Sequence, residues 1–123
     1  MKRFIIKNTD SYGEKSFEKV EGTLHKENDQ HIYRYQSKLG KCEVVVTSRR
    51  VVISRKGEIS AIIDVDLDRV TEFNYITKEM RKLFKIQGEK IEIDEENSIV
   101  EFSYKIFEGN EELNRITIGI KGY

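Results

Sequence analysis

Apolar and polar residues alternate with period two in run after run of this chain. Val100, Phe102, Tyr104 and Ile106 alternate with Glu101, Ser103 and Lys105, and after a turn Ile116, Ile118 and Ile120 alternate with Arg115, Thr117 and Gly119. β-branched and aromatic side chains on one face and polar ones on the other predict an antiparallel hairpin over residues 99–107 and 113–120. The rest of the chain repeats the pattern in shorter runs. Residues 3–8 read as a first strand, Ser11, Tyr12 and Gly13 as a turn, and residues 16–26 as a second strand with Val20, Gly22 and Leu24 on one face. A glycine inside a strand marks a bulge or bend. Asn28 and Asp29 tolerate positive φ and suit a two-residue hairpin turn, which pairs Leu24 with Tyr33 and Gly22 with Tyr35.

Residues 41–47 and 50–55 form the next expected pair, turning at Ser48 and Arg49. Val46 then faces Val51 and Val44 faces Ile53, while Val45 and Val52 meet on the opposite face, so this pair is apolar on both sides. A three-residue loop, Lys56, Gly57 and Glu58, would lead to a strand of Ile59, Ala61, Ile63 and Val65, setting Ile53 against Ala61 and Val51 against Ile63. Residues 70–76 read as a strand with Phe73 and Tyr75 on one face, and Thr77 as the N-cap of a single helical turn. Residues 83–86 and 90–94 form one bent strand or two, broken at Gln87 and Gly88, before a turn at residues 94–97. Nine or ten short strands at spacings of about ten residues, mostly joined as hairpins, predict an all-β, antiparallel, up-and-down barrel. The alternative is an α+β fold with a short helix at residues 77–84.

With 123 residues, the chain reads as a single domain over residues 1–123. Lys plus Arg and Asp plus Glu each total 22, so the net charge is zero and no pull toward nucleic acid or anionic membrane follows. Cys42 is the lone cysteine, which excludes an intrachain disulfide. The basic start is followed by only Phe4, Ile5 and Ile6, too short for a secretory or membrane segment. A cytoplasmic setting is expected. Proline and tryptophan are absent, so no strand is barred from a central place by proline.

The run from Gly22 through Tyr33 and Tyr35, the hairpin of residues 41–57 with its Arg55-Lys56-Gly57 turn, and the ending from Asp94 to Gly122 together resemble the YwiB-like family of small bacterial proteins of unknown function. In that ending an acidic turn, an alternating strand, a loop of glycine and acidic residues and an Ile-Thr-Ile strand follow in the family's order, and the likeness spans almost the whole chain. The resemblance implies a calycin-like barrel, related in architecture to lipocalins and fatty-acid-binding proteins. It implies no activity and no functional residues, and the Gly-x-Trp signature of lipocalins is missing because the chain lacks tryptophan.

Candidate chemistry is sparse. His25 and His31 flank the first hairpin turn, but the expected register turns their rings to opposite faces, against a shared metal. Cys42 lies on the face of Val44 and Val46, where a buried inert thiol is the plainer reading than a nucleophile. Asp64, Asp66 and Asp68 imitate the opening of a calcium loop, yet position six is Arg69 and position twelve is Tyr75, where glycine and glutamate are required. The basic residues Arg49, Arg50, Arg55, Lys56, Lys78, Arg81, Lys82 and Lys85 are interleaved with Glu58, Glu72 and Glu79, against a nucleic-acid surface. Inward aromatics remain: Tyr33, Tyr35, Phe73, Tyr75, Phe102 and Tyr104. They fill a core or line a cavity. The expectation is a non-enzymatic container for a small, partly apolar ligand, without metal or cofactor, lined by Tyr33, Tyr35, Phe102 and Tyr104. The alternative is an interaction or homodimer module using the Val45 and Val52 surface.

Overall fold

The computed structural model describes residues 1–57 and 60–123. Ten strands follow one another: β1 (Lys2–Asp10), β2 (Lys15–Glu27), β3 (Gln30–Ser37), β4 (Gly40–Val46), β5 (Arg50–Lys56), β6 (Ala61–Asp66), β7 (Val70–Ile76), β8 (Arg81–Asp94), β9 (Ile99–Glu108) and β10 (Glu111–Gly122). They form one antiparallel sheet in the order β6-β5-β4-β3-β2-β1-β10-β9-β8-β7. Two meanders are thus joined by the pairing of β1 with β10, and the sheet curls into a nearly closed barrel, consistent with the expected calycin-like architecture. The seam lies between β6 and β7, where no ladder forms among the described residues; there the Thr71 hydroxyl donates to the Asp64 carbonyl.

Short turns hold the register that alternation requires. Asn28 and Asp29 have φ of 47° and 65°, the left-handed pair that a tight hairpin needs. Leu24 lies opposite Tyr33 and Gly22 opposite Tyr35; Val44 lies opposite Ile53 and Val46 opposite Val51. In the C-terminal hairpin, Val100, Phe102 and Tyr104 face Ile120, Ile118 and Ile116. These inward rows supply the core: Phe4, Val46, Val51, Val65, Ile86, Phe102 and Ile120 are almost wholly removed from water. Burying each such side chain contributes about 1.5–3 kcal/mol.

Two expectations need correction. β5 keeps pairing with β4 as far as Lys41 and Lys56, so Lys56 is a strand residue and the reversal comes later. Ile53 therefore faces Ile63, Val51 faces Val65, and Arg55 faces Ala61, a shift of two residues that preserves which side chains face in. The expected loop residue Glu58 and strand residue Ile59 lie outside the described residues. Thr77 does not cap a helical turn. Its Oγ1 accepts the N–H groups of Glu79 and Met80, and its own N–H donates to the Met80 carbonyl at 2.9 Å, closing the hairpin between β7 and β8.

Two long strands change partner along their length, β2 at Gly22 and β8 over Lys85–Gln87, just before Gly88. β2 pairs with β1 from Lys15 to Gly22 and with β3 from Gly22 onward. β8 pairs with β7 up to Gln87 and with β9 as far as Asp94, with a register shift between Gly88 and Lys90. A Cβ on Gly22 would stand 2.0 Å from the Arg34 carbonyl oxygen, which neither backbone can accommodate unmoved. Gly22→Ala is expected to cost about 3 kcal/mol in urea unfolding, at the upper end for overpacking. Gly119→Ala, where a Cβ meets nothing within 4 Å, should stay within about 0.5 kcal/mol of the parent. Equal losses from the two substitutions would reject the corner as the cause.

Candidate functional site

Connections alternate between the two ends of the barrel. One end carries the turns at residues 11–14, 38–39, 77–80 and 109–110. Beneath this end lies an interior cavity of about 300 Å³. Its wall is mainly aliphatic and aromatic: Ile6 from β1, Val44 from β4, Ile53 from β5, Phe102, Tyr104 and Ile106 from β9, and Ile116 and Ile118 from β10. Asn8, Ser16 and Glu18 add polar atoms toward the opening, and Phe17, Lys38 and Leu39 border it.

One row of paired residues crosses the wall on three neighbouring strands: Tyr35 on β3, Cys42 on β4 and Arg55 on β5. Strand alternation directs Arg55 inward, because it shares a face with Val51 and Ile53. Its Nε is buried without a hydrogen-bond partner among the described residues. The Cys42 thiol donates to Ser37 Oγ at 3.7 Å. Burial raises the Tyr35 hydroxyl pKa far above the ordinary phenol value, helped by Cys42 and opposed by Arg55. Burial pushes Tyr104 up to about 12, again opposed by Arg55. Both phenols therefore remain neutral and can donate as well as accept.

The structure brings Tyr35, Phe102 and Tyr104 into the cavity wall. Tyr33 is not part of it. It packs edge-on against Phe4, ring centroids 5.4 Å apart, toward the opposite end, where with His31, Glu95 and Leu24 it borders a separate open hollow. Phe73 stacks on Phe84 at 6.2 Å and meets Tyr75 edge-on at 6.4 Å, away from the cavity. His31 faces inward and its Nε2 lies 3.0 Å from Glu95 Oε1; His25 is exposed beside Glu27. Val45 and Val52 pair on the outer surface, half-buried, with Ile32 beside Val45 and Asp64 beside Val52. Asp64, Asp66 and Asp68 are engaged by arginines: Arg50 holds Asp64 with contacts at 2.9 and 2.7 Å, Arg69 reaches Asp66 at 3.0 Å, and Arg49 pairs with Asp68. Sequence reasoning missed the aliphatic wall residues and, among the charged ones, Glu18 and Arg55. The signal for Arg55 was present in its place two positions after Ile53, but it was grouped with the surface cations.

The buried phenols make stability depend on alkaline pH. Tyr33 and Tyr104 ionise near 12 in the folded chain and near 10.0 when burial is lost. The folded state then holds more protons between those values, so stability is fully present below pH 10 and falls as pH rises toward 12, by about 1.4 kcal/mol per pH unit for each tyrosine. Urea midpoints measured across that window, with phenolate absorbance followed in parallel, should show this decline. A flat profile would contradict the burial of the phenols.

Comparison with known proteins agrees with the architecture. No curated protein matches the chain significantly. A crystal structure of the ywiB protein from Bacillus subtilis is similar over 99% of this chain and 91% of that one, with a TM-score of 0.76 at 19% identity, which shows a shared fold. The model of a family described as "Domain of unknown function (DUF1934)" matches residues 2–120, and the chain belongs to that family.

Proposed function

We propose that this barrel is a container for one small, partly apolar ligand, acting by binding rather than by catalysis and working in the cytoplasm. The observation that carries the reading is the interior cavity of about 300 Å³ beneath one end of the barrel. Ligand sites are typically concave and mostly apolar, with a few placed polar groups, and begin at about this size. Tyr35, Phe102 and Tyr104 would contact the ligand, the two hydroxyls supplying polar handles on an otherwise apolar wall.

The uncharged fluorophore 1-aminoanthracene tests the container directly. Enhanced emission saturating at one equivalent is expected for the parent protein. Ile118→Trp, which extends a wall residue into the cavity, should weaken binding at least tenfold with the β-sheet circular dichroism retained; Ile116→Phe serves the same purpose if the tryptophan variant fails to fold. Absence of saturable binding by the parent would reject the container.

The second reading, a self-association or docking module, draws on the outer row of Ile32, Val45 and Val52. These side chains are half-buried without any partner, a narrow strip beside the area of a stable interface. Under the container proposal, Val52→Lys should change neither the mass in solution nor the affinity for 1-aminoanthracene. A dimer that this substitution splits would favour the interaction reading instead.

A further inference from the structure

We infer that the ligand carries one anionic group, a carboxylate, and that Arg55 anchors it from the cavity wall. This rests on the container reading and adds the ligand's chemical class to it. Arg3, Arg34, Arg49, Arg50, Arg69 and Arg115 each lie against a carboxylate on the outer surface. Arg55 differs in place and in company. It lines the interior cavity, and its Nε–H is shielded from solvent with no acceptor among the described residues. A charged donor removed from water stays costly until an acceptor meets it.

The cavity's own carboxylate does not serve. Glu18 also lines the wall, but its Oε2 accepts the Lys38 backbone N–H at 2.9 Å, which ties it to the loop at the mouth. Among the described residues no other acid lines the cavity. Among the described residues nothing supplies the acceptor that Arg55 Nε lacks, and an anionic occupant would supply it.

The surroundings define the kind of anion. A guanidinium offers two parallel N–H groups that match the two oxygens of a carboxylate. Tyr35 lies two strands away in the same cross-strand row and Tyr104 closes the cavity from β9, and both hydroxyls are neutral donors. Arg55 is the one cation set deep in the wall, with Lys38 and Glu18 together at the mouth, so a single negative charge matches it. A dianionic phosphate would leave charge uncompensated against Ile53, Ile116 and Ile118, where burial of an unpaired charge is penalised. The aliphatic remainder of the wall takes a tail, and a volume of about 300 Å³ holds about ten water-sized groups. The class is a short amphipathic monocarboxylate.

Octanoate and 1-octanol, similar in length and different in charge, test this by displacing 1-aminoanthracene at neutral pH. In an apolar cavity without an anchor the alcohol would win, because the carboxylate loses more on leaving water. Octanoate is expected to displace the fluorophore at a concentration at least tenfold below that of octanol. In Arg55→Gln that advantage should vanish while displacement by octanol stays within twofold. Octanol matching or surpassing octanoate on the parent protein would overturn the anchor and leave the container standing. No binding of 1-aminoanthracene at all would remove both. The parent comparison decides the matter even if Arg55→Gln does not fold.

Discussion

Close backbone approach at two glycines is the constraint on which the rest of this barrel depends. At Gly22 the chain of β2 leaves β1 and takes up β3, and the Arg34 carbonyl occupies the space a side chain would need. At Gly88 the chain of β8 bulges, and a Cβ would stand 2.6 Å from the Asp66 carbonyl oxygen across the seam. Bends of this kind turn a flat ribbon of hairpins into a curved wall. The second bend also lets β6 lie against β8 where no ladder joins the edges. Around that seam, Arg50 and Arg69 bracket Asp64 from outside, the arginines exposed and the carboxylate partly covered, pairs that each contribute about 1 kcal/mol. Curvature and packing close the barrel more than charge does.

The distribution of charge follows from that closure. Strand alternation sends nearly every ionisable group outward, where opposite charges meet across strands, as Arg34 and Glu43 do at 2.8 Å. The inner face departs from this rule near the cavity, at Glu18 and Arg55. Positions where local consistency breaks are where function or strain concentrates. Burial keeps the tyrosine hydroxyls neutral beside the guanidinium, so the wall holds Arg55, two neutral donors and the Glu18 carboxylate tied to the Lys38 backbone.

Much of this fold was legible in the alternation of residues. Period two says which side chains share a face, and tight turns of two residues then leave one register that keeps Leu24 with Tyr33 or Val46 with Val51. The same logic is blind to a shift of two, which is why Ile53 was matched with Ala61 rather than Ile63. Thr77 was misread because a threonine side chain accepting backbone N–H groups two and three residues on is common to helix starts and to tight turns. Within the site, alternation identified Tyr35, Phe102 and Tyr104 as inward but carried no information on depth along the barrel. Tyr33 shares a face with Tyr35 and yet stands nearer the far end, against Phe4. Arg55 escaped notice because charge outweighed position in the reading of its strand.

The pairing of β1 with β10 has a consequence for how the chain assembles. Every other ladder joins strands that are consecutive in sequence, so those hairpins close short loops and can form early and independently. Ile6 meets Ile120 only when almost the whole chain is looped back on itself. The two meanders can therefore mature on their own, with the strip of Phe4 and Ile6 waiting unpartnered beside β2 until β10 arrives. The largest loop-closure cost falls at the junction of the meanders. The conversion of an open sheet into a hollow vessel awaits the last strand of the barrel, and until then the surface that later lines the cavity is exposed to any neighbouring chain.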